Sequence, residues 1–422
     1  MAKVGATQGY FLAGEDQRIE KSVTINSPAN TPIHINLYIV LPGINKTVKK
    51  SVPAIQSGPD YTATFDLNNV LHSELIAYLE EKEQFAFPGD PDAPIVDRSD
   101  LMLQFYTDHS YTYMDANNEV AETDPTDNSE DVRHYALQGG LSRVMTAYLH
   151  SEGLEFDAWL KKDSNKWFSW MPDKLPVHAA QPVRLWFLNS SILDSLHLKT
   201  NVFFTDGTSV SDVDRAVVNK GEGLFEVACG PQELRLVTID ISKRVTKYQV
   251  WLENTDGSVK TMLRTFVIDQ ATYERNDLLF FRSSLGVHEV LWCNGRRKEQ
   301  LDIDQDESIR PLTTPSLTKG TTRSGRGETK QDFDMNTGFY PKHLRHYLMD
   351  FVAAGEAVLP VGFFMLPVII GKGKYPFGED GEDLFSLAFK MKVAHTERHY
   401  SQLPDVPSPW GDFNSDFNED FF

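Results

Sequence analysis

The stretch Phe385-Ser386-Leu387-Ala388-Phe389-Lys390-Met391-Lys392-Val393 alternates without a break between apolar side chains and small or charged ones. Successive side chains of a β-strand point to opposite faces, so this period of two gives one buried face and one wet face. The same pattern recurs upstream. Ile33, Ile35, Leu37, Ile39 and Leu41 form one face of a segment that stops at Pro42-Gly43. Tyr248, Val250 and Leu252 lead into Asn254-Thr255-Asp256-Gly257, and residues 259–268 supply a returning strand, which predicts a β-hairpin. Residues 278–282 and 288–293 predict a second hairpin around Gly286.

Helical spacing is rare. The best case opens at Pro341 and runs over residues 341–354, with Leu344, Leu348, Phe351 and Val352 on one side; residues 69–81 are a weaker case. These helices stand isolated among strands rather than alternating with them, which excludes a doubly wound α/β fold. The expectation is a mainly β protein of several β-sandwich-like domains with a few short helices and an extended C-terminal arm. Acidic or turn-rich stretches at 119–131, 269–276 and 313–330 suggest the divisions. They give an N-terminal sandwich-like domain over 1–135, a second over 136–275, a β-rich domain with one helix over 276–403, and an acidic aromatic tail over 404–422.

A chain of 422 residues is long enough for two to four domains of ordinary size. Its 60 acidic residues against 41 basic ones give a net charge of -19, which repels phosphate backbones and anionic membrane surfaces, so no nucleic-acid partner is expected. Cys229 and Cys293 are far apart and form no CxxC, so neither a disulfide framework nor a structural zinc site is indicated, and synthesis in a reducing cytoplasm is expected. The first residues, MAKVGATQGYFLAGEDQ, lack the basic and apolar regions of a signal peptide. The apolar stretch 358–370 is interrupted by Pro360 and Pro367 and is shorter than the roughly 20 residues that a membrane span requires.

Several fragments imitate functional motifs, and each fails on a residue that the chemistry needs. His395 and His399 are four apart, but Glu397 is misplaced for either common zinc-hydrolase order. Asp302, Asp304 and Asp306 resemble the opening of a calcium loop, yet Glu307 stands where a sharp turn needs Gly and Thr313 where a bidentate Glu is needed. A looser calcium site on these acids, or on Asp124, Asp127 and Asp131, is the alternative to a solvated acidic loop. Gly371-Lys372-Gly373-Lys374 lacks P-loop spacing and reads as a flexible turn. Lys319, Arg323, Arg326 and Lys330 have no interleaved aromatics and read as a solvated loop. No GxSxG elbow occurs, and paired carboxylates for glycoside hydrolysis are defined by separation in space rather than in sequence. No catalytic residue, metal ligand or cofactor is therefore assigned, and the chain is expected not to be an enzyme.

The tail carries the most distinctive local pattern. Phe413, Phe417 and Phe421 repeat every four residues in an acidic background, with Trp410 and Phe422 beside them. Charge keeps such a segment soluble until its rings find an apolar partner, so these residues are the candidate assembly arm, docking in trans or back onto the same chain.

Four stretches, taken in order, resemble virion proteins from the tails and baseplates of tailed bacteriophages, particularly those of Bacteroidota hosts. The first is TATFDLNNVLHSEL from Thr62 to Leu75. The second joins Phe156-Asp157-Ala158-Trp159-Leu160 to Phe168-Ser169-Trp170-Met171-Pro172 and Gln181-Pro182-Val183-Arg184-Leu185. The third runs from Thr265-Phe266-Val267-Ile268-Asp269 through Phe280-Phe281-Arg282-Ser283-Ser284-Leu285-Gly286-Val287 to Gly295; the family commonly has Asn where this chain has Ser283. The fourth is Asn336-Thr337-Gly338-Phe339-Tyr340 followed by Leu366-Pro367-Val368-Ile369-Ile370 and the alternating strand. The Asp-Phe tail looks like this group too. The resemblance implies a structural protein of a tail, baseplate or neck, located in the virion after synthesis in the host cytoplasm. Its implied partners are copies of itself and other virion proteins in a symmetric complex, with no catalytic residues to carry over. The alternatives are a receptor- or polysaccharide-binding module, with Trp159, Trp167 and Trp170 as stacking faces, and a β-rich polysaccharide hydrolase.

Overall fold

The computed structural model describes residues 2–4, 8–14, 17–80, 94–125, 132–161, 166–189, 195–218, 221–271, 273, 276–304, 307–309, 322–324, 328–361, 364–377 and 383–395. The protein is mainly β, with 52% strand and 15% helix, arranged in several sheets that include a curled half-barrel.

Near the N-terminus, a sheet runs in the order Tyr10–Ala13, His134–Gln138, Met102–Met114, His34–Leu41 and Lys46–Pro53. A four-stranded sheet built on Ile19–Ile25 and Asp60–Asp66 packs with it. Ile35, Leu37, Ile39 and Leu41 are all buried against Val23, Ala63 and Phe65, so the alternation legible in the sequence forms the inner face of a sandwich. The helix Asn68–Glu80 buries Leu71, Leu75 and Leu79 in the same core.

A second pair of sheets follows. Five strands run in the order Leu175–His178, Arg264–Asp269, Val245–Glu253, Leu196–Phe204 and Ser209–Val218, and three in the order Arg184–Asn189, Gly223–Ala228 and Ile95–Asp97. The three-stranded sheet is covered on both faces. Leu185, Phe187, Phe225 and Val227 face the second core, while Trp186 and Leu224 face the first. Burial on both sides is why Gly223–Ala228 reads as a continuous run rather than an alternation. Ile95–Asp97 thus enters a sheet of the central segment, and His134–Gln138 runs across the expected division between 135 and 136.

The half-barrel is a seven-stranded antiparallel sheet in the order His288–Cys293, Asp277–Arg282, Glu356–Val361, Phe364–Ile370, Leu384–Val393, Glu328–Pro341 and Lys298–Asp304. Its concave side is filled by the helix Arg345–Ala354, whose Phe351 meets Phe281 and Phe389 edge-on at centroid distances of 5.3 and 5.1 Å.

The hairpin over 278–293 and the strand over 385–393 stand as expected. Three details differ. Pro341 ends a strand, and a 3-10 turn Lys342–Leu344 precedes the helix. The returning strand of the other hairpin begins only at Arg264, because residues 254–263 form a turn that meets the outgoing strand irregularly, through a Glu253–Val259 bridge and the Lys260 and Thr261 N–H groups on Leu252 O. Two short helices, Arg143–Ser151 and Phe156–Lys161, were not expected; the first is capped by the Ser142 hydroxyl, which accepts from the Met145 N–H. No described helix is long and apolar enough to cross a membrane.

Candidate functional site

A cleft of about 690 Å³ lies where the half-barrel meets the N-terminal sandwich. One wall is apolar and comes from Ala357, Val358, Pro367, Val368 and Ile369. The facing wall is polar, made by Arg282, Ser283 and Ser284 with Gln138, Gly139 and Gly140. Between the strands Asp277–Arg282 and Glu356–Val361 only Phe280–Val358 and Phe281–Ala357 pair, so the two walls separate at Arg282.

The polar wall rests on a turn that only glycine permits. Gly286 has φ +83°, and a Cβ on it would collide with the Gln138 carbonyl oxygen. The Gly286 N–H donates to Ser283 O at 2.8 Å, Ser283 N–H to Val287 O at 2.9 Å, and Gly140 N–H to Ser284 O at 2.6 Å. The Arg282 guanidinium donates to Gln138 Oε1. Both Asp350 oxygens accept from the Ser284 N–H, at 3.1 and 3.3 Å, and the Trp170 indole N–H donates to Ser284 Oγ at 2.7 Å. The segment from Arg282 to Ser284 therefore lines the polar wall of the cleft.

Two buried groups behind this wall were not singled out in the sequence. Glu289 is 0% exposed; its Oε1 accepts from Ser169 Oγ at 3.1 Å and from the Trp170 N–H at 3.0 Å. Burial, reinforced by the nearby Asp350 charge, pushes its carboxyl up to about 8. His288 is held down to about 3 by burial, with Arg282 and Arg98 adding repulsion. A proton-retaining carboxyl next to a second acid is the raw material of general acid catalysis. Here Glu289 is enclosed and hydrogen-bonded to a loop, so it acts as a tie between the strand His288–Cys293 and residues 169–170. A charged residue in the run His288-Glu289-Val290-Leu291-Trp292-Cys293 was the available signal.

A second buried cluster lies on the three-stranded sheet and the segments that follow its strands. Arg184 Nε lies 2.8 Å from Glu226 Oε1, Arg98 Nη1 lies 3.1 Å from Glu226 Oε2, and Arg184 Nη1 pairs with Glu233. The second Glu233 oxygen accepts from the Gly230 N–H at 2.9 Å. These charges are mutually paired and hydrogen-bonded, which is the condition under which buried ions are tolerated.

On the outer face of the half-barrel, the strand Glu328–Pro341 forms a bulge between Asn336 and Phe339. The bulge leaves Tyr340 buried and turns Phe339 outward, 75% exposed and opposite Ser386, beside Leu384 at 55%.

The sequence candidates fall as follows. Trp410, Phe413, Phe417, Phe421 and Phe422 lie outside the described residues, as do Asp127, Asp131, Asp306, Lys319, Arg326 and His399. Asp302 and Lys330 face each other across a strand pair, Asp304 is on the same strand as Asp302, and Arg323 lies on the short strand Thr322–Ser324. No group of three or more potential metal ligands forms among the described residues. The three tryptophans are committed to packing. Trp167 is buried with its indole N–H on Met262 O at 2.8 Å, and Trp159 packs against Trp170 under Lys166.

No family model and no curated protein matches the chain. Among solved structures it is similar to the copper nitrite reductase of Nitrosomonas europaea at 8% identity and a TM-score of 0.16, over 63% of this chain and 82% of that one. It is also similar to trypsin-activated alpha-2-macroglobulin of Escherichia coli at 9% identity and a TM-score of 0.16, over 93% of this chain and 21% of that one. Likeness at this level carries no argument about function.

Proposed function

We propose that the protein is a non-enzymatic structural component of a tailed-phage virion, from the tail, baseplate or neck, that assembles with copies of itself and other virion proteins. The observation that supports this best is the outward pair Phe339 and Leu384. A bulge places a large aromatic ring in solvent on the outer face of an otherwise well-packed sheet, and covering such an exposed apolar pair with another surface is favourable. The ordered phage-like stretches supply the class of assembly. The reading is tested by native mass spectrometry and negative-stain imaging of the purified chain, alone and with Phe339→Ser and Leu384→Ser combined. Discrete rings or stacks that weaken in the double variant, with an unchanged melting temperature, are expected. A strictly monomeric chain that binds glycans or releases sugar would overturn it.

A further inference from the structure

We propose that the edge strand Lys298–Asp304 pairs antiparallel with the same strand of a second copy, about a twofold axis at Gln300. The proposal rests on the assembly reading above and deepens it by naming one contact between copies.

The strand is the last of the seven-stranded sheet, paired with Glu328–Pro341 on one side and with no described strand on the other. Lys298, Glu299, Gln300, Leu301, Asp302 and Ile303 are all exposed. Such an edge presents a row of unpaired backbone N–H and C=O groups, and edges are ordinarily blunted by lysine, proline, bulges or cover. The other described edge strands of five residues or more follow that rule. Lys46–Pro53 carries Lys46, Lys49, Lys50 and a proline, Ser209–Val218 has register breaks against its neighbour, and Arg184–Asn189 and His288–Cys293 are covered. Lys298–Asp304 contains no proline and keeps an unbroken register with its neighbour, from Lys298 opposite Asp334 to Asp304 opposite Glu328.

The charges choose the partner. Cross-strand neighbours share a face of a sheet, and Glu299 is opposite the buried Phe333, so the even-numbered residues of the strand lie on the outer face. On that face Lys390, Asp334 and Lys298 stand side by side on successive strands, with Lys390 Nζ 3.5 Å from Asp334 Oδ1. A twofold axis at Gln300 sets Lys298 opposite Asp302 of the second copy, and the strand neighbour of that Asp302 is Lys330. The row Lys390, Asp334, Lys298, Asp302, Lys330 then alternates in sign from end to end, and the symmetry makes it twice. Between the two rows Gln300 meets Gln300, with Asp332 opposite Lys392 outside each. An axis at Glu299 or at Asp302 would instead oppose identical acids. On the inner face the same register sets Leu301, 46% exposed, opposite Glu299 of the second copy, whose carboxylate the Arg297 guanidinium already holds. The two Leu301 side chains come diagonal to one another, which takes wet apolar surface out of solvent.

The test uses the full chain with Gln300→Cys; the native Cys229 and Cys293 are buried. Mild oxidation is expected to link two copies through position 300, whereas Lys330→Cys, one strand further in, stays unlinked. Lys298→Asp and Asp302→Lys each set like charges opposite one another twice across the axis. Each alone should raise the dimer dissociation constant about tenfold in sedimentation at low salt, and an equimolar mixture of the two should restore it, because the mixed pair again opposes unlike charges. Restoration on mixing also shows that both variants are folded. Failure of Gln300→Cys to link, or a mixture no tighter than its components, overturns the edge pairing but leaves the assembly reading standing if native mass still shows oligomers. A chain that stays monomeric at every concentration overturns both.

Discussion

Gly286 lies so close to the main chain of Gln138 that a side chain at Gly286 would overlap the Gln138 carbonyl oxygen. A turn of the half-barrel hairpin is thereby pressed against the end of an N-terminal strand, and the join depends on a missing methyl group. Gly286→Ala is expected to destabilise the protein by about 2–5 kcal/mol, from left-handed backbone strain and overpacking together. Gly58→Ala, also at positive φ (+67°) but with open space around it, should cost only about 1–2 kcal/mol. Denaturant midpoints compare the two; equal losses would show that the contact with Gln138 contributes nothing.

The pH dependence at the neutral side should follow Glu289. Its folded value of about 8 lies above the ordinary 4.5, so the folded protein keeps a proton that the unfolded chain releases. The stabilisation is complete below pH 4.5 and is lost as pH rises through 8, on the order of a few kcal/mol. The facing groups are Asp350, which strengthens the effect, and Arg264, which opposes it. Glu289→Gln keeps an oxygen acceptor for Ser169 and Trp170, and should flatten this limb. Melting temperatures from pH 5 to pH 9 give the comparison; a slope unchanged by the substitution would remove Glu289 as its source.

At acid pH the sign reverses. His134 is held down to about 4 by burial, assisted by Lys21, and sits edge-on to Phe11 and near Phe105. Its contribution is present above pH 6.5 and is lost as pH falls through 4, because the unfolded chain then takes up a proton that the folded one refuses. His134→Phe suits the aromatic surroundings and should make stability less sensitive to pH between those limits. Urea titrations at pH 7 and pH 4 measure it, and an undiminished difference would count against burial of a neutral imidazole.

Arg184 pairs with both Glu226 and Glu233, and Arg98 shares Glu226. Arg184→Met leaves Glu233 without its Arg184 partner and is expected to cost about 3–5 kcal/mol. Replacing Arg98, Arg184, Glu226 and Glu233 together by apolar residues of similar volume should recover much of that loss. Thermal unfolding of the single and quadruple variants decides it. If the single substitution is nearly neutral, the buried network contributes no net stabilisation.

The sequence by itself determined the strands that are buried on one side, because a single covered face writes itself as alternation. Leu384–Val393 and His34–Leu41 carry it, whereas the hairpin from Asp277 to Cys293 is buried on both faces and was legible only as two apolar runs about the turn at Gly286. Only the tertiary structure decided which sheets touch. His134–Gln138 pairs in parallel with Tyr10–Ala13 across more than a hundred residues, and Gly223–Ala228 is covered on both faces and loses its alternation. The cleft and the Glu289 tie were equally invisible, since both arise where segments distant in sequence meet. A local pattern records how much of a side chain is covered, and covering it on one face leaves open which partner does so.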